Sequence, residues 1–210
     1  GGIMPNWTDN IIVITGSGEN LDKLLKKVIT DDSNPNEIQY NLTNCFPKPE
    51  IFKTIHQGAR TFDGVTVDAW FEDDDGARPM LDIVKEDIIK EHGTYKPVDW
   101  EYTNWGTKWG DCDTKLISEK IVEDDQYADG QLVFSFDSAW GEPFRLLNDI
   151  ARKYDVKISN TYMYEFEPER HSSNYPWSDK ETKEMYDKFE QDRDAMLKMV
   201  KDMFKEKENN

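Results

Sequence analysis

"QLVFSFDSAWGEPFRLLNDIARKYDVKISNTYMYEF", residues 131–166, carries three structural elements in one run. Leu132, Phe134 and Phe136 alternate with Val133 and Ser135, the period that packs one face of a strand on a core. Pro143 stands in the first turn of the next element, where its missing N–H costs nothing. Phe144, Leu147, Ile150 and Ala151 then form one apolar stripe of a helix. Val156, Ile158, Tyr162, Tyr164 and Phe166 hold even positions of a second strand, interrupted only by Asn160.

The N-terminal part repeats this strand and helix. "NIIVITG", residues 10–16, is a short β-branched run that stops at a glycine, as a buried strand does. A helix follows, capped by Glu19 or Asn20, with Leu21, Leu24, Leu25 and Val28 on its apolar face. "IQYNLTNCF", residues 38–46, reads as a further strand, and Pro49 opens a short helix bearing Ile51, Phe52 and Ile55. A helix from about Pro79 to Glu91 turns Leu81, Val84, Ile88 and Ile89 inward. Trp100 to Lys108 reads as a strand and a turn at Gly106, and "RHSSNYPW", residues 170–177, as a loop.

The fold expected is α+β. Residues 4–168 form a ferredoxin-like antiparallel or mixed sheet with helices on one face and a helical insertion at about 59–95. Residues 178–207 form a long amphipathic helix capped by Ser178. Its stripe of Met185, Phe189, Met196, Val200 and Met203 docks on the domain, meets a partner or pairs with a second copy as a homodimer.

Composition narrows the function. The chain has 210 residues, 37% hydrophobic and 12% aromatic, so its core rests heavily on rings. With 43 acidic and 26 basic residues the formal net charge is -17, which repels phosphate backbones and argues against direct nucleic-acid binding. The acidity serves solubility, or it steers the chain to a basic partner, at the extreme as a DNA mimic. Two cysteines, Cys45 and Cys112, fit a reducing cytoplasm. Met4 reads as the native start, with no signal peptide and no run of membrane-spanning length, so no membrane association is expected.

No catalytic or metal motif is evident. His56, His92 and His171 are scattered, and neither "EDDDG" at residues 72–76 nor "EDDQYADG" at residues 123–130 has the spacing of a calcium loop. No catalytic residue, metal or other cofactor is assigned. The binding candidates sit in "WEYTNWGTKWGDCD", residues 100–113: Trp100, Tyr102, Asn104, Trp105, Lys108 and Trp109, with Trp140 further on. Such rings build a core, line a ligand pocket or form a partner hot spot.

"MPNW" at residues 4–7, "NWGTKW" at 104–109 and "FSFDSAWGEPF" at 134–144 occur here in an order that resembles the YubB-type ferredoxin-like proteins of bacteriophages, plasmids and enterobacterial mobile elements. The resemblance spans most of residues 4–166, and "NWGTKW" is its most specific block. Thr8 stands where that family has Cys. The resemblance implies a viral or mobile-element origin and a ferredoxin-like fold, and it transfers no catalytic role. The expected function is a non-enzymatic accessory protein in the host cytoplasm that binds a host protein, as a counter-defence or host-takeover factor. The alternatives are a nucleotide or base binder, or an enzyme, with an aromatic pocket, and an acidic DNA mimic.

Overall fold

The computed structural model describes residues 6–31, 38–120, 130–167, 169–188 and 191. The chain divides into two compact units, Gly1–Pro176 and Trp177–Asn210. In the first, β1 (Trp7–Gly16) leads into α1 (Gly18–Val28), and then come β2 (Ile29–Asp31), β3 (Gln39–Tyr40), a 3₁₀ turn (Leu42–Cys45) and α2 (Ile51–Thr54). A smaller sheet follows, β4 (Ile55–Phe62), β5 (Val65–Asp73) and β6 (Gly76–Pro79), and after it α3 (Asp82–His92) and α4 (Pro97–Trp105). The unit closes with β7 (Lys108–Lys120), β8 (Gly130–Ala139), α5 (Phe144–Tyr154), β9 (Lys157–Tyr164) and β10 (Arg170–Tyr175).

The main sheet has the order β10-β9-β1-β8-β7, and every pairing is antiparallel. Its register explains the core. Ile12 lies opposite Phe134 on β8 and Asn160 on β9, and Ile14 opposite Leu132 and Ile158. Even-numbered residues of the three central strands therefore share one face, and Ile12, Ile14, Leu132, Phe134, Phe136 and Ile158 are buried there. Leu21, Leu24 and Val28 of α1 and Leu147, Ile150 and Ala151 of α5 are buried as well. Each large side chain so enclosed contributes about 2 kcal/mol. The odd face carries Asp9, Ile11, Lys157, Ser159 and Thr161, all exposed.

Several local readings need correction. The cap of α1 is Ser17, whose hydroxyl accepts from the Asn20 amide, and not Glu19 or Asn20. Only Gln39 and Tyr40 of the strand expected at 38–46 pair as a strand, because the Asn41 side chain caps the 3₁₀ turn that follows. The insertion expected to be helical at about 59–95 begins as a three-stranded antiparallel sheet. Asp63 and Gly64 both have positive φ, 48° and 84°, the conformation of a two-residue hairpin turn between Phe62 and Val65. Only its second part, α3, is helical.

Residues 100–105, expected as strand before the turn at Gly106, belong instead to the helix α4, which begins at Pro97. Pro97 occupies its first turn and Gly106 its left-handed C-terminal cap. The "loop" at residues 170–175 is an edge strand, β10, that pairs with β9 and buries Tyr175.

In the second unit a helix, α6, runs over residues 179–188. The Ser178 hydroxyl accepts from the Glu181 amide at 3.2 Å, and the Glu181 carboxylate accepts from the Ser178 amide at 2.8 Å, a reciprocal capping box. Met185 is 37% exposed. Phe189, Met196, Val200 and Met203, the rest of the proposed partner stripe, lie outside the described residues. Among the described residues no helix is long and apolar enough to cross a membrane.

Candidate functional site

The aromatic block splits at Gly106 into a buried half and an exposed half. On α4, Trp100 and Trp105 are 8% and 5% exposed and meet edge to face, 5.4 Å between ring centres. Trp100 also packs on Phe52, and the Trp105 indole N–H donates to the Phe46 carbonyl at 2.9 Å. Asn104 donates to the Trp100 carbonyl one turn back. Tyr102 is half-buried, and burial, then the Glu101 charge, raises its phenol above the ordinary range. Trp100 and Trp105, expected as binding residues, are buried and pack the α4 end into the core, while Asn104, half-buried, bonds back to its own helix.

Beyond Gly106 the backbone is pinned at almost every residue. A Cβ on Gly106 (φ 84°) would stand 2.8 Å from the Phe144 ring. The Thr107 hydroxyl donates to the Ala139 carbonyl. Trp109 has φ 67°, and its amide donates to the buried Glu101 carboxylate at 3.4 Å. Lys48 holds that carboxylate at 2.7 Å. Gly110 has φ 61°, and a Cβ there would lie 2.2 Å from the Thr43 methyl. Asp111, 7% exposed, accepts from the amides of Leu42 and Thr43 at 2.7 and 2.9 Å and from the Thr114 hydroxyl at 2.5 Å. Burial raises its carboxyl even so, against these bonds.

This clamp presents Trp109 outward. The side chain is 40% exposed, with its ring 5.8 Å from that of Trp7 and the Lys108 ammonium 4.3 Å above it. Trp140, at the end of β8, is 46% exposed with φ 73°, and its amide donates to the Asn6 carbonyl at 2.8 Å. Trp7 and Lys108 both pair with Ala139, so all these residues stand at one end of the main sheet. A left-handed conformation costs a bulky residue about 1–2 kcal/mol and persists only where its surroundings impose it.

One row along from Trp7, Asp9 of β1 lies opposite Asp137 of β8. Burial, then the charges of Asp9 and Asp113, raises the Asp137 carboxyl. Among the described residues no group of three or more His, Cys, Asp or Glu is arranged to hold a metal ion. Cys112 is half-buried, and burial followed by the Asp111 charge pushes its thiol up to about 11. Burial likewise pushes Cys45 up to about 11. Since the thiolate is the nucleophile, these shifts disfavour the reactive form of both at neutral pH.

A second polar constellation, centred on Glu142, escaped sequence reasoning. The Glu142 carboxylate accepts from Asn160 at 3.0 Å, from the Tyr175 hydroxyl at 2.9 Å and from the Ser173 hydroxyl at 2.8 Å. Asn160 also donates to Asn10, which in turn donates to Ser138. His171 stacks on Tyr162, with ring centres 5.3 Å apart. Burial, then the Glu142 charge, pushes Tyr162 up to about 12 and raises Tyr175 further. The Thr8 hydroxyl and the Asn160 carbonyl oxygen, both buried, have no hydrogen-bond partner among the described residues. The available signal was Asn160, the polar residue that breaks the apolar alternation of β9.

The chain matches no protein-family model, no curated protein and no solved structure.

Proposed function

We propose that this chain is a non-enzymatic binding protein, an accessory factor of a phage or mobile element, which docks a host protein through Trp7, Trp109 and Trp140. The observation that carries the reading is the backbone of Trp109 and Trp140. Both are held in left-handed conformations while their rings are 40% and 46% exposed. Backbone hydrogen bonds to Glu101 and Asn6 hold these conformations, and the rings they present are of the residue type that dominates partner hot spots.

The ferredoxin-like reading of the architecture is supported by the chain order of β1, α1, β7, β8, α5 and β9 with the sheet order β9-β1-β8-β7. The phage or mobile-element origin is supported by the "NWGTKW" resemblance, whose residues build the clamp around Trp109.

The test is affinity capture from nuclease-treated bacterial host lysate, at low and high salt, with the full chain and with Trp109→Gly. Glycine tolerates the left-handed backbone, so this variant removes the ring and keeps the turn. A stoichiometric protein held by the wild type and lost with the variant supports docking. Equal capture by both, or no capture at either salt, contradicts it.

A second reading, a small polar ligand, is favoured by the unpartnered carbonyl oxygen of Asn160, whose amide nitrogen donates to Glu142. A co-purifying molecule in native mass spectrometry that Glu142→Gln releases would support it.

A further inference from the structure

The Trp surface does not end in neutral ground. Trp7 and Asp9 are alternate residues of β1, so they share the odd face about 7 Å apart. Across the ladder, Ala139 and Asp137 occupy the same two rows of β8. An aromatic row therefore borders an acidic row on the exposed face of the sheet. Asp113 of β7 adds its charge to Asp137, and Lys115, which pairs with Ser135 on β8, is the cation that offsets it.

We propose that this face receives a lysine or arginine side chain from a basic segment of the docked protein, with the Trp7 and Trp109 rings as its wall and Asp9 and Asp137 as its counter-ions. The inference rests on the docking reading and names the chemistry of the partner.

Three observations carry it. The Trp109 ring already takes a cation within the chain, since the Lys108 ammonium stands 4.3 Å from its centre. The carboxylates facing each other at Asp9 and Asp137 repel, and an incoming cation relieves that repulsion. The whole chain carries a formal charge of -17, which attracts a basic segment from a distance and repels a nucleic acid. Lys108 serves the free protein as a placeholder for the partner's cation.

The experiment uses the full chain and two synthetic peptides of equal length. One is rich in lysine and arginine, and in the other each of these is glutamine. Tryptophan fluorescence reports binding at low salt. The basic peptide is expected to bind and the glutamine peptide not. The double variant Asp9→Asn, Asp137→Asn is expected to bind about tenfold more weakly, and Trp109→Gly similarly. The asparagine variant removes repulsion, so its fold is not at risk.

Equal binding of both peptides, no binding of the basic one, or unchanged affinity in the asparagine variant overturns the inference. These outcomes are separate from failure of the docking reading, which is judged by loss of the captured host protein on Trp109→Gly alone. Capture that depends on Trp109 but not on Asp9 and Asp137 keeps the docking surface and removes its cation.

Discussion

The Lys48 ammonium lies 2.7 Å from the carboxylate of Glu101, whose side chain is only 4% exposed. That carboxylate also receives the Trp109 amide, so one buried ion pair anchors the outward turn. Glu101→Gln leaves Lys48 without its counter-ion. The expected cost is about 2–3 kcal/mol in urea unfolding, below the fully buried range because Lys48 keeps 23% of its side chain exposed. Adding Lys48→Met recovers most of that loss, because no unpaired charge remains. A double variant as unstable as the single one contradicts this role.

Gly110 is bound both by its backbone and by its surroundings. At φ 61°, with the Thr43 methyl 2.2 Å from any Cβ, Gly110→Ala is strained twice. It is expected to destabilise the fold by about 2–4 kcal/mol. Thr43→Ser removes the methyl and keeps the hydroxyl, so combining the two recovers the steric part and leaves the conformational part. Melting curves of the two variants, alone and together, separate the contributions.

Asp137 sets a pH dependence. Its folded pKa is raised by burial, Asp9 and Asp113, and lowered by Lys115. Between its unfolded and folded pKa values the folded state binds more protons than the unfolded state, so stability falls as pH rises through that window. Above the folded pKa the penalty is complete. Asp137→Asn is therefore expected to stabilise the protein at neutral pH and to give no gain below the unfolded pKa of an aspartate. Urea unfolding of both proteins from about pH 3 to about pH 8 checks the sign. A gain that grows on acidification contradicts it.

Ser178 and Glu181 cap α6 reciprocally. Ser178→Ala removes one bond to the backbone, and amide exchange across residues 179–188 is expected to become severalfold faster. The hydrogen bonds from Ser178 lower the Glu181 pKa, so its contribution is present above the unfolded pKa and fades as pH falls through the folded one. The same exchange experiment in acid reads that loss.

The elements legible from sequence were those with one clear period and a half-buried face, β1, α1, β8, α5 and β9, together with the short helix α2 after Pro49 and the helix α3, expected from about Pro79 to Glu91. The small sheet was missed although Asp63-Gly64 is a two-residue hairpin signal and Val65, Val67, Ala69 and Phe71 alternate after it, because the acidic run at residues 72–75 reads as a loop leading into a helix. Residues 100–105 were misread as strand because so dense a ring cluster fits a period of two as readily as 3.6, although Pro97 and Gly106 marked both helix ends. The edge strand β10 buries Tyr175 but otherwise looks like a loop.

For the candidate site, the aromatic block was legible in the sequence but its division was not. Trp105 and Trp109 are four residues apart, yet Gly106 ends the helix between them and turns one ring inward and the other outward. The partners that fix this, Glu101, Lys48 and Thr43, come from segments far apart in the chain. The same is true of Asn160, Ser173 and Tyr175 around Glu142.

The most direct measurement is calorimetric titration of the purified host protein, once captured, onto the wild type and onto Trp109→Gly. The account predicts an affinity loss of at least about thirtyfold, the scale of a hot-spot ring, with the variant's folded structure retained. An unchanged dissociation constant would show that the exposed ring is not the docking surface.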